Sequence, residues 1–361
     1  MRPSQFKEIL KPIKFGRMVS FNRLYFSSVG FDVCDENGRP LPEFYEIYQS
    51  IMDGGCGFGF LGNASVDPQS QYTARSQKLI SESHAQDLLP TFEAARERNV
   101  LLLAQLQHYG SGEASFLSTQ QIEEYITHFV KAAKLASDNQ FPGLQIHAAN
   151  GYLLSSFLSP RSNKRTDEWG GTPIKRARIL LEILRRIRAS VREDMLLFVR
   201  LQIDDGFGKE GLQFDQLSEV VCAIEEAGAD AITCATGVAE TFSRFLGDAE
   251  FSLDVSRRAG RFLKERTRLP IGFAGNINNL QLAEDILLAE EADFIGFGRQ
   301  IVADHNFVKK ELSGHSSYVH RCLWDSYCLR DKKEPEAKRV YCCVNPKYRR
   351  PQHIQLKYKE S

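Results

Sequence analysis

Short apolar runs alternate with longer amphipathic segments along most of this chain, and that alternation limits the folds it can adopt. Strands that alternate with helices form parallel βα units, and eight such units close naturally into a barrel. The sequence therefore predicts an α/β fold of the (β/α)8 TIM-barrel type. The eight predicted strands cover residues 23–28, 57–62, 100–105, 144–147, 196–201, 231–234, 271–274 and 294–296.

Helical periodicity fills the stretches between these runs. An open doubly wound sheet is the competing architecture, but it would carry a glycine-rich fingerprint after the first strand, and none is present. The pattern ends near residue 313, so we predict a barrel over residues 1–312 and an irregular C-terminal extension over residues 313–361 that packs on it. The predicted helices cover residues 43–53, 85–98, 119–139, 174–192, 215–227, 279–289 and 301–312.

Composition excludes several classes of partner. The 361 residues carry 46 basic and 46 acidic side chains, a balance that argues against a nucleic-acid surface. No apolar run is long enough for a membrane span, and the N-terminus lacks the apolar core of a signal peptide. The eight cysteines are scattered through a long chain. They favour a reducing, cytoplasmic location over a disulfide scaffold.

Polar side chains follow the fourth predicted strand, at the end where barrels place their chemistry. His147, Asn150 and Tyr152 lie within one turn. The first two donate hydrogen bonds and the third holds a transferable proton, so together they suit polarising a carbonyl and protonating the adjacent carbon. The alternative is a polar loop whose His147 and Asn150 cap the next helix.

Other strand ends carry binding signals. Gln105 ends the third predicted strand, and Gly275-Asn276 follows the seventh. Gly298-Arg299 follows the eighth, where barrels usually bind phosphate, so backbone N–H groups and the Arg299 charge are predicted to hold an anion there.

These residues resemble the Old Yellow Enzyme family of FMN-dependent ene-reductases over roughly residues 6–310. The most specific pieces are the block from His147 to Pro160 and the segment Asn163-Lys164-Arg165-Thr166-Asp167-Glu168-Trp169-Gly170-Gly171. The resemblance implies a barrel with non-covalent FMN at its mouth and NADH or NADPH as the hydride donor. It also implies a small-molecule substrate, an activated alkene such as an enone or enal.

The resemblance also implies roles for individual residues. His147 and Asn150 would bind the substrate's carbonyl or nitro oxygen, and Tyr152 would protonate its α-carbon. Arg200 would lie beside the flavin N1/O2 region, where negative charge gathers on reduction. The alternative for Arg200 is an ion pair with Asp204 or Asp205. The remaining cofactor contacts would come from Ser27, Ser28, Asn63, Gln105, Gly275, Asn276, Gly298 and Arg299.

The chain departs from the family pattern in three places. Gly30 stands where many members carry a Thr or Cys that tunes the flavin, and Asn63 where a small residue is usual. Ser111 replaces the Arg that often follows His-x-Gly. Gly30 and Ser111 motivate a second hypothesis, a flavin-binding barrel that acts as a sensor or electron-transfer partner with little turnover. A third, a flavin-free lyase or aldolase, lacks the strand-end Lys or carboxylate cluster it would need.

The cysteine-rich tail resembles the branch of bacterial 2,4-dienoyl-CoA reductase, whose members bind a four-iron cluster after the barrel. Here Asp325 stands where a third closely spaced cysteine would be required. We therefore predict a relic of an iron–sulfur segment and no working metal site. The Tyr- and Arg-rich tail could also reach a neighbouring copy in a homo-oligomer. The cysteines concerned are Cys322, Cys328, Cys342 and Cys343.

Overall fold

Eight parallel strands close a barrel in this computed structural model, which describes residues 6–110, 114–334, 337–352 and 354. The barrel strands follow one another around the ring in chain order, and the last pairs with the first, so the predicted fold class is confirmed. A short antiparallel hairpin, β1 (Ile13–Phe15) and β2 (Met18–Ser20), precedes them. The barrel strands are β3 (Leu24–Phe26), β4 (Phe58–Ser65), β5 (Leu101–Gln107), β6 (Gly143–Ala148), β7 (Leu196–Asp204), β8 (Ala231–Thr236), β9 (Ile271–Phe273) and β10 (Phe294–Phe297).

Helices connect the strands on the outside of the barrel. They are α1 (Pro42–Met52), α2 (Glu82–Glu97), α3 (Thr119–Asp138), α4 (Leu153–Leu158), α5 (Pro173–Ser190), α6 (Ser218–Glu226), α7 (Phe242–Gly247), α8 (Ala249–Lys264), α9 (Leu280–Leu288), α10 (Arg299–Ala303), α11 (Phe307–Leu312) and α12 (Tyr327–Arg330). Short 3₁₀ turns lie at Ala114–Phe116, Gly208–Glu210, Phe214–Leu217, Ser316–Tyr318, Asp331–Lys333 and Pro346–Tyr348. No helix in the described part of the chain is both long and apolar enough to span a membrane.

The predicted helices omit α4, α7 and α8 and merge α10 with α11. Helix α8 was not predicted, although Asp248 caps it by accepting from the Phe251 N–H and it buries Val255 and Leu263. The single helix predicted over residues 301–312 is two helices, because the Asp304 carboxylate accepts from the Asn306 N–H and turns the chain between them.

Aromatic rings fill the N-terminal end of the barrel. Phe15 of the hairpin packs edge-on against Phe58, Phe198 and Phe294 at centroid distances of 5.0, 4.8 and 5.4 Å. These three residues lie at or near the starts of their strands, so the hairpin closes that end. Gly272 leaves the space these rings need, since a Cβ there would lie 2.2 Å from the Phe294 ring. Polar side chains in the barrel interior are therefore concentrated at its C-terminal end.

The extension after α11 is tied to the barrel by hydrogen bonds along its length. The Val340 N–H donates to the Phe31 carbonyl at 3.1 Å, and the Asn345 amide donates to the Val302 carbonyl at 2.8 Å. His305, which is buried between barrel and extension, lies 2.9 Å from the Tyr348 hydroxyl and 2.8 Å from Ser50 Oγ.

Acid should weaken the fold through His305. Burial, with Lys347 nearby, lowers the pKa of His305 to about 4. Because the unfolded imidazole takes up its proton near pH 6.5, stability should fall as pH drops from 6.5 towards 4 and should not depend on this group above 6.5. We expect His305→Gln to remove about 2–3 kcal/mol of that pH dependence in urea unfolding. His315→Gln, at an exposed position, is the matched control and should leave the dependence unchanged.

Candidate active site

The three predicted catalytic side chains come together at the C-terminal end of β6. His147 is the fifth residue of that strand, and Tyr152 is the N-cap residue of α4. Between them Asn150 takes a left-handed conformation (φ 62°), and its N–H donates to Gln202 Oε1 at 2.6 Å. The rings of His147 and Tyr152 meet edge to face with centroids 5.5 Å apart. This turn therefore places the His147 ring and the Tyr152 phenol in contact, with Asn150 between them in the chain.

Helix capping does not explain these residues. Helix α4 has no side-chain cap from its N-cap residue, and the Gly151 N–H is instead accepted by Ser155 Oγ at 3.1 Å. The capping alternative is therefore wrong.

The hydrogen bonding of His147 fixes its tautomer. Its Nδ1 accepts from the Ala149 N–H at 3.2 Å, which places the ring proton on Nε2. Burial and the neighbouring Arg200 charge hold the pKa of His147 well below its usual range. At neutral pH the imidazole is therefore an uncharged donor through Nε2.

Tyr152 keeps its proton in this site. Burial, with Tyr72 nearby, raises the pKa of Tyr152, and the Arg200 charge and a hydrogen bond with Gln107 only partly oppose that effect. The ring of Tyr109 packs edge-on against Tyr152 at 5.0 Å. A phenol that stays neutral at physiological pH is a proton donor and not a base.

Arg200 on β7 has no carboxylate partner among the residues the structure describes. Its Nη1 donates to Ser28 Oγ at 3.4 Å, and burial lowers its pKa. Asp204 accepts from the Gly206 N–H, and Asp205 accepts from the Ser159 hydroxyl and the Leu212 N–H. The ion-pair alternative for Arg200 is therefore wrong. A partly buried guanidinium without a counter-charge can pair with a negatively charged group of a ligand.

Two glutamines on β5 lie beside it. Gln105 donates to Gln145 Oε1 at 2.6 Å, but its own Oε1 has no partner in the described structure. Gln107 accepts from the Asn63 amide at 2.7 Å and forms a hydrogen bond with the Tyr152 hydroxyl. The free acceptor of Gln105 suits an N–H group on the edge of a heteroaromatic ring. Sequence reasoning missed Gln107, although it lies two residues after Gln105 and so on the same face of the strand.

The predicted phosphate residues also meet, at the ends of β9 and β10. Asn276 accepts from the Arg299 guanidinium and donates to the Phe245 carbonyl at 3.0 Å. Space remains at both glycines. A Cβ on Gly298 would have Ser27 Cβ as its nearest atom, at 3.9 Å, and a Cβ on Gly275 would have Ser256 Oγ, at 3.5 Å. A backbone open to close approach beside a partly buried guanidinium fits a phosphate group.

The cysteine-rich tail fits an iron–sulfur cluster poorly. Asp325 accepts from the Tyr327 N–H at 3.2 Å in place of a third closely spaced thiolate. In the described ranges no group of three or more His, Cys, Asp or Glu side chains is placed to hold a metal ion. We derive no step through such a cluster. Ser111, the other departure in the loop after β5, lies outside the described residues.

Comparison with known proteins identifies the family and the fold. The model of the NADH:flavin oxidoreductase / NADH oxidase family matches residues 111–316. The chain is 27% identical over 368 residues to an NADH oxidase of Thermoanaerobacter brockii, covering 95% of this chain and 56% of that protein. It is 27% identical to an NADPH dehydrogenase of Bacillus subtilis (strain 168) over 84% of this chain and 94% of that one. The fold matches an old yellow enzyme homologue from Zymomonas mobilis with a TM-score of 0.72 at 19% identity, over 85% and 93% of the two chains.

The chain spans just over half the length of some of these relatives, 56% of the Thermoanaerobacter protein. It nevertheless covers nearly all of the shorter Bacillus protein with its barrel. The matched family region includes the turn with His147, Asn150 and Tyr152 and the strand with Arg200.

Proposed function

This chain belongs to the NADH:flavin oxidoreductase / NADH oxidase family, and we propose that it reduces the C=C bond of an activated alkene, such as an enone or enal, with a hydride from NADH or NADPH. FMN and NAD(P)H are the cofactors that fit this family. The assignment of the substrate and of each residue's role is part of the proposal.

One observation carries it: the partly buried Arg200 guanidinium lacks a carboxylate partner and lies in the barrel with Gln105 Oε1, which is also unpaired in the described structure. FMN would satisfy both, with Arg200 at the anionic part of its ring and Gln105 at its polar edge. Ser27, Ser28 and Asn63 would contact the ring system. Gly275, Asn276, Gly298 and Arg299 would hold the phosphate.

Bound FMN supplies the hydride for the substrate. The protein's own part is to hold and polarise the alkene. The His147 Nε2–H and the Asn150 amide would donate to the carbonyl or nitro oxygen, which stabilises the negative charge that develops there. Tyr152 would then give its phenolic proton to the α-carbon. Because the neutral His147 imidazole already carries a proton on Nε2, it can donate this hydrogen bond without taking up another proton.

The visible spectrum of the purified protein, loaded with FMN and kept free of oxygen, tests the proposal. We expect flavin bands that bleach on adding NADH or NADPH and return on adding a cyclic enone, with one saturated product formed per reduced flavin. A protein that fails to bind added FMN would refute the cofactor assignment. Flavin that bleaches but is not reoxidised by enones or enals would favour the sensor or electron-transfer alternative.

A further inference from the structure

One cation of the C-terminal extension, the Lys332 ammonium, lies at the mouth of the barrel. Lys332 Nζ lies 3.3 Å from Asp32 Oδ1, and both side chains are more than nine-tenths buried, with 9% and 8% exposed. The same ammonium lies 5.5 Å from the centroid of the Tyr72 ring. Lys332 is thus part of the wall of the candidate active site, although it is more than 120 residues from the other site residues on β7.

A buried ion pair fixes the turn that carries Lys332. The adjacent Asp331 is fully buried and accepts two hydrogen bonds from Arg350, at 2.6 and 3.1 Å. A bidentate Arg–carboxylate pair is the most directional of protein ion pairs. The position of Lys332 therefore follows from the packing of the extension and not from a free side chain on the surface.

The missing side chain at Gly30 leaves room for this ammonium. A Cβ on Gly30 would lie 3.2 Å from Lys332 Nζ and 2.7 Å from Asn63 Oδ1. Asn63 in turn donates to Gln107, which contacts Tyr152. The two departures from the family pattern at Gly30 and Asn63 are therefore neighbours, and Gly30 borders Lys332.

A cluster of three tyrosine rings, Tyr72, Tyr109 and Tyr152, contacts Lys332 through Tyr72, which also meets Tyr152 at a centroid distance of 6.2 Å. Tyr72 and Tyr109 stack with centroids 5.5 Å apart and planes at 28°, and Tyr109 meets Tyr152 edge-on. Such a wall suits a flat conjugated or aromatic group. Its inner end is at Tyr152, where a reacting carbon would receive its proton, and its outer end is at the ammonium.

Positive charge exceeds negative charge at this outer end. Arg75 and Lys332 both act on the Asp32 carboxylate, so two cations face one anion. A small cavity beside Arg75 is lined by Gly30, Asp32, Asn63, Arg75 and Gln77 among others. Gln77 Nε2 and Oε1 both lack a partner in the described structure. An anionic group would pair with the extra cation and accept from Gln77 Nε2.

We propose that Lys332 and Arg75 form an anion subsite that binds a carboxylate at the far end of a conjugated substrate, which makes Lys332 a specificity-determining residue. The inference rests on the proposed function for the reacting end of that substrate. The competing role for Lys332 is a purely structural one, an ion pair that fastens the extension to the loop holding Asp32.

Binding of a matched pair of ligands separates the two roles. The probes are 4-carboxycinnamaldehyde and its methyl ester, titrated into oxidised, FMN-loaded protein and followed by flavin absorbance. We expect Lys332→Gln to weaken binding of the carboxylate about tenfold or more and to leave the ester unchanged, because one charge-assisted hydrogen bond is lost. Asp32→Asn should leave carboxylate binding as strong as before or strengthen it, since it removes the competing anion.

A structural ion pair predicts the opposite pattern. Lys332→Gln and Asp32→Asn would then act alike, lowering thermal stability and affecting acid and ester equally, and that result would overturn the proposal. Lys338→Gln, an exposed charge change in the same extension, is the control and should change nothing. If the acid binds in a Lys332-dependent way but neither probe is reduced, the subsite is supported and the proposed function is contradicted. If both probes are reduced and Lys332→Gln has no effect on their binding, the proposed function is supported and the subsite is contradicted.

Discussion

Replacing Tyr152 by phenylalanine is expected to slow alkene reduction by about 100- to 10,000-fold, the usual contribution of a positioned general acid. The substitution keeps the ring that packs on His147 and Tyr109, so the fold and the oxygen-binding donors stay in place. Flavin reduction by NADH or NADPH needs no proton from this phenol and should keep its wild-type rate. Stopped-flow measurement of the two half-reactions separately would show the difference.

Tyr109→Phe is the matched control for that experiment. Tyr109 is a neighbouring, partly buried tyrosine of the same wall, and its hydroxyl bonds to Ser76. We expect it to change the oxidative half-reaction only slightly. If Tyr152→Phe left both half-reactions intact, or slowed both equally, Tyr152 would not be the proton donor.

The pH profile should support the same assignment. Because the pKa of Tyr152 is raised and that of His147 is lowered, neither group changes its charge between about pH 6 and 8. The oxidative half-reaction should therefore be nearly independent of pH over that range. A bell-shaped profile centred there would mean that another group supplies the proton.

The sequence was sufficient to predict the barrel because its strands are short, apolar and regularly spaced. It was also sufficient to predict that His147, Asn150 and Tyr152 lie near one another, since all three lie within six residues at the end of one strand. Helix α8 was not predicted because most of its surface is polar, with three arginines and Lys264, and its apolar face is narrow. The apolar residues are therefore hard to recognise as a helical pattern in the sequence.

Long-range contacts could not be predicted in the same way. Nothing local to Asp32 or Lys332 indicates that they meet across 300 residues of chain, because the position of the extension depends on Asp331, Arg350 and other distant pairs. The tautomer of His147 likewise depends on a backbone N–H two residues away, which only coordinates reveal. Residues whose role is set by tertiary packing are thus the ones that sequence reasoning misses or leaves open.

Arg200→Leu should give two effects of opposite sign. Removing the guanidinium deletes the charge that FMN would pair with, so we expect the dissociation constant for FMN to rise about 10- to 100-fold. The FMN-free protein, in contrast, should become more stable by about 1–3 kcal/mol, because a desolvated charge without a carboxylate partner is replaced by an apolar side chain. FMN binding by fluorescence titration and urea unfolding of the apoprotein measure the two quantities.

Arg176→Leu provides the contrast. Arg176 is more deeply buried than Arg200, and it donates to the Leu158 and Gly171 carbonyls and to Gln216, so its loss leaves three acceptors unsatisfied. That variant should be less stable in both the FMN-free and the FMN-loaded protein, without a specific effect on FMN affinity. If Arg200→Leu instead destabilised the apoprotein as Arg176→Leu does, Arg200 would have a structural role. Its lack of a carboxylate partner would then no longer support the proposed cofactor site. If Arg200→Leu stabilises the apoprotein but weakens FMN binding, the Arg200 charge destabilises the fold and is required by the ligand.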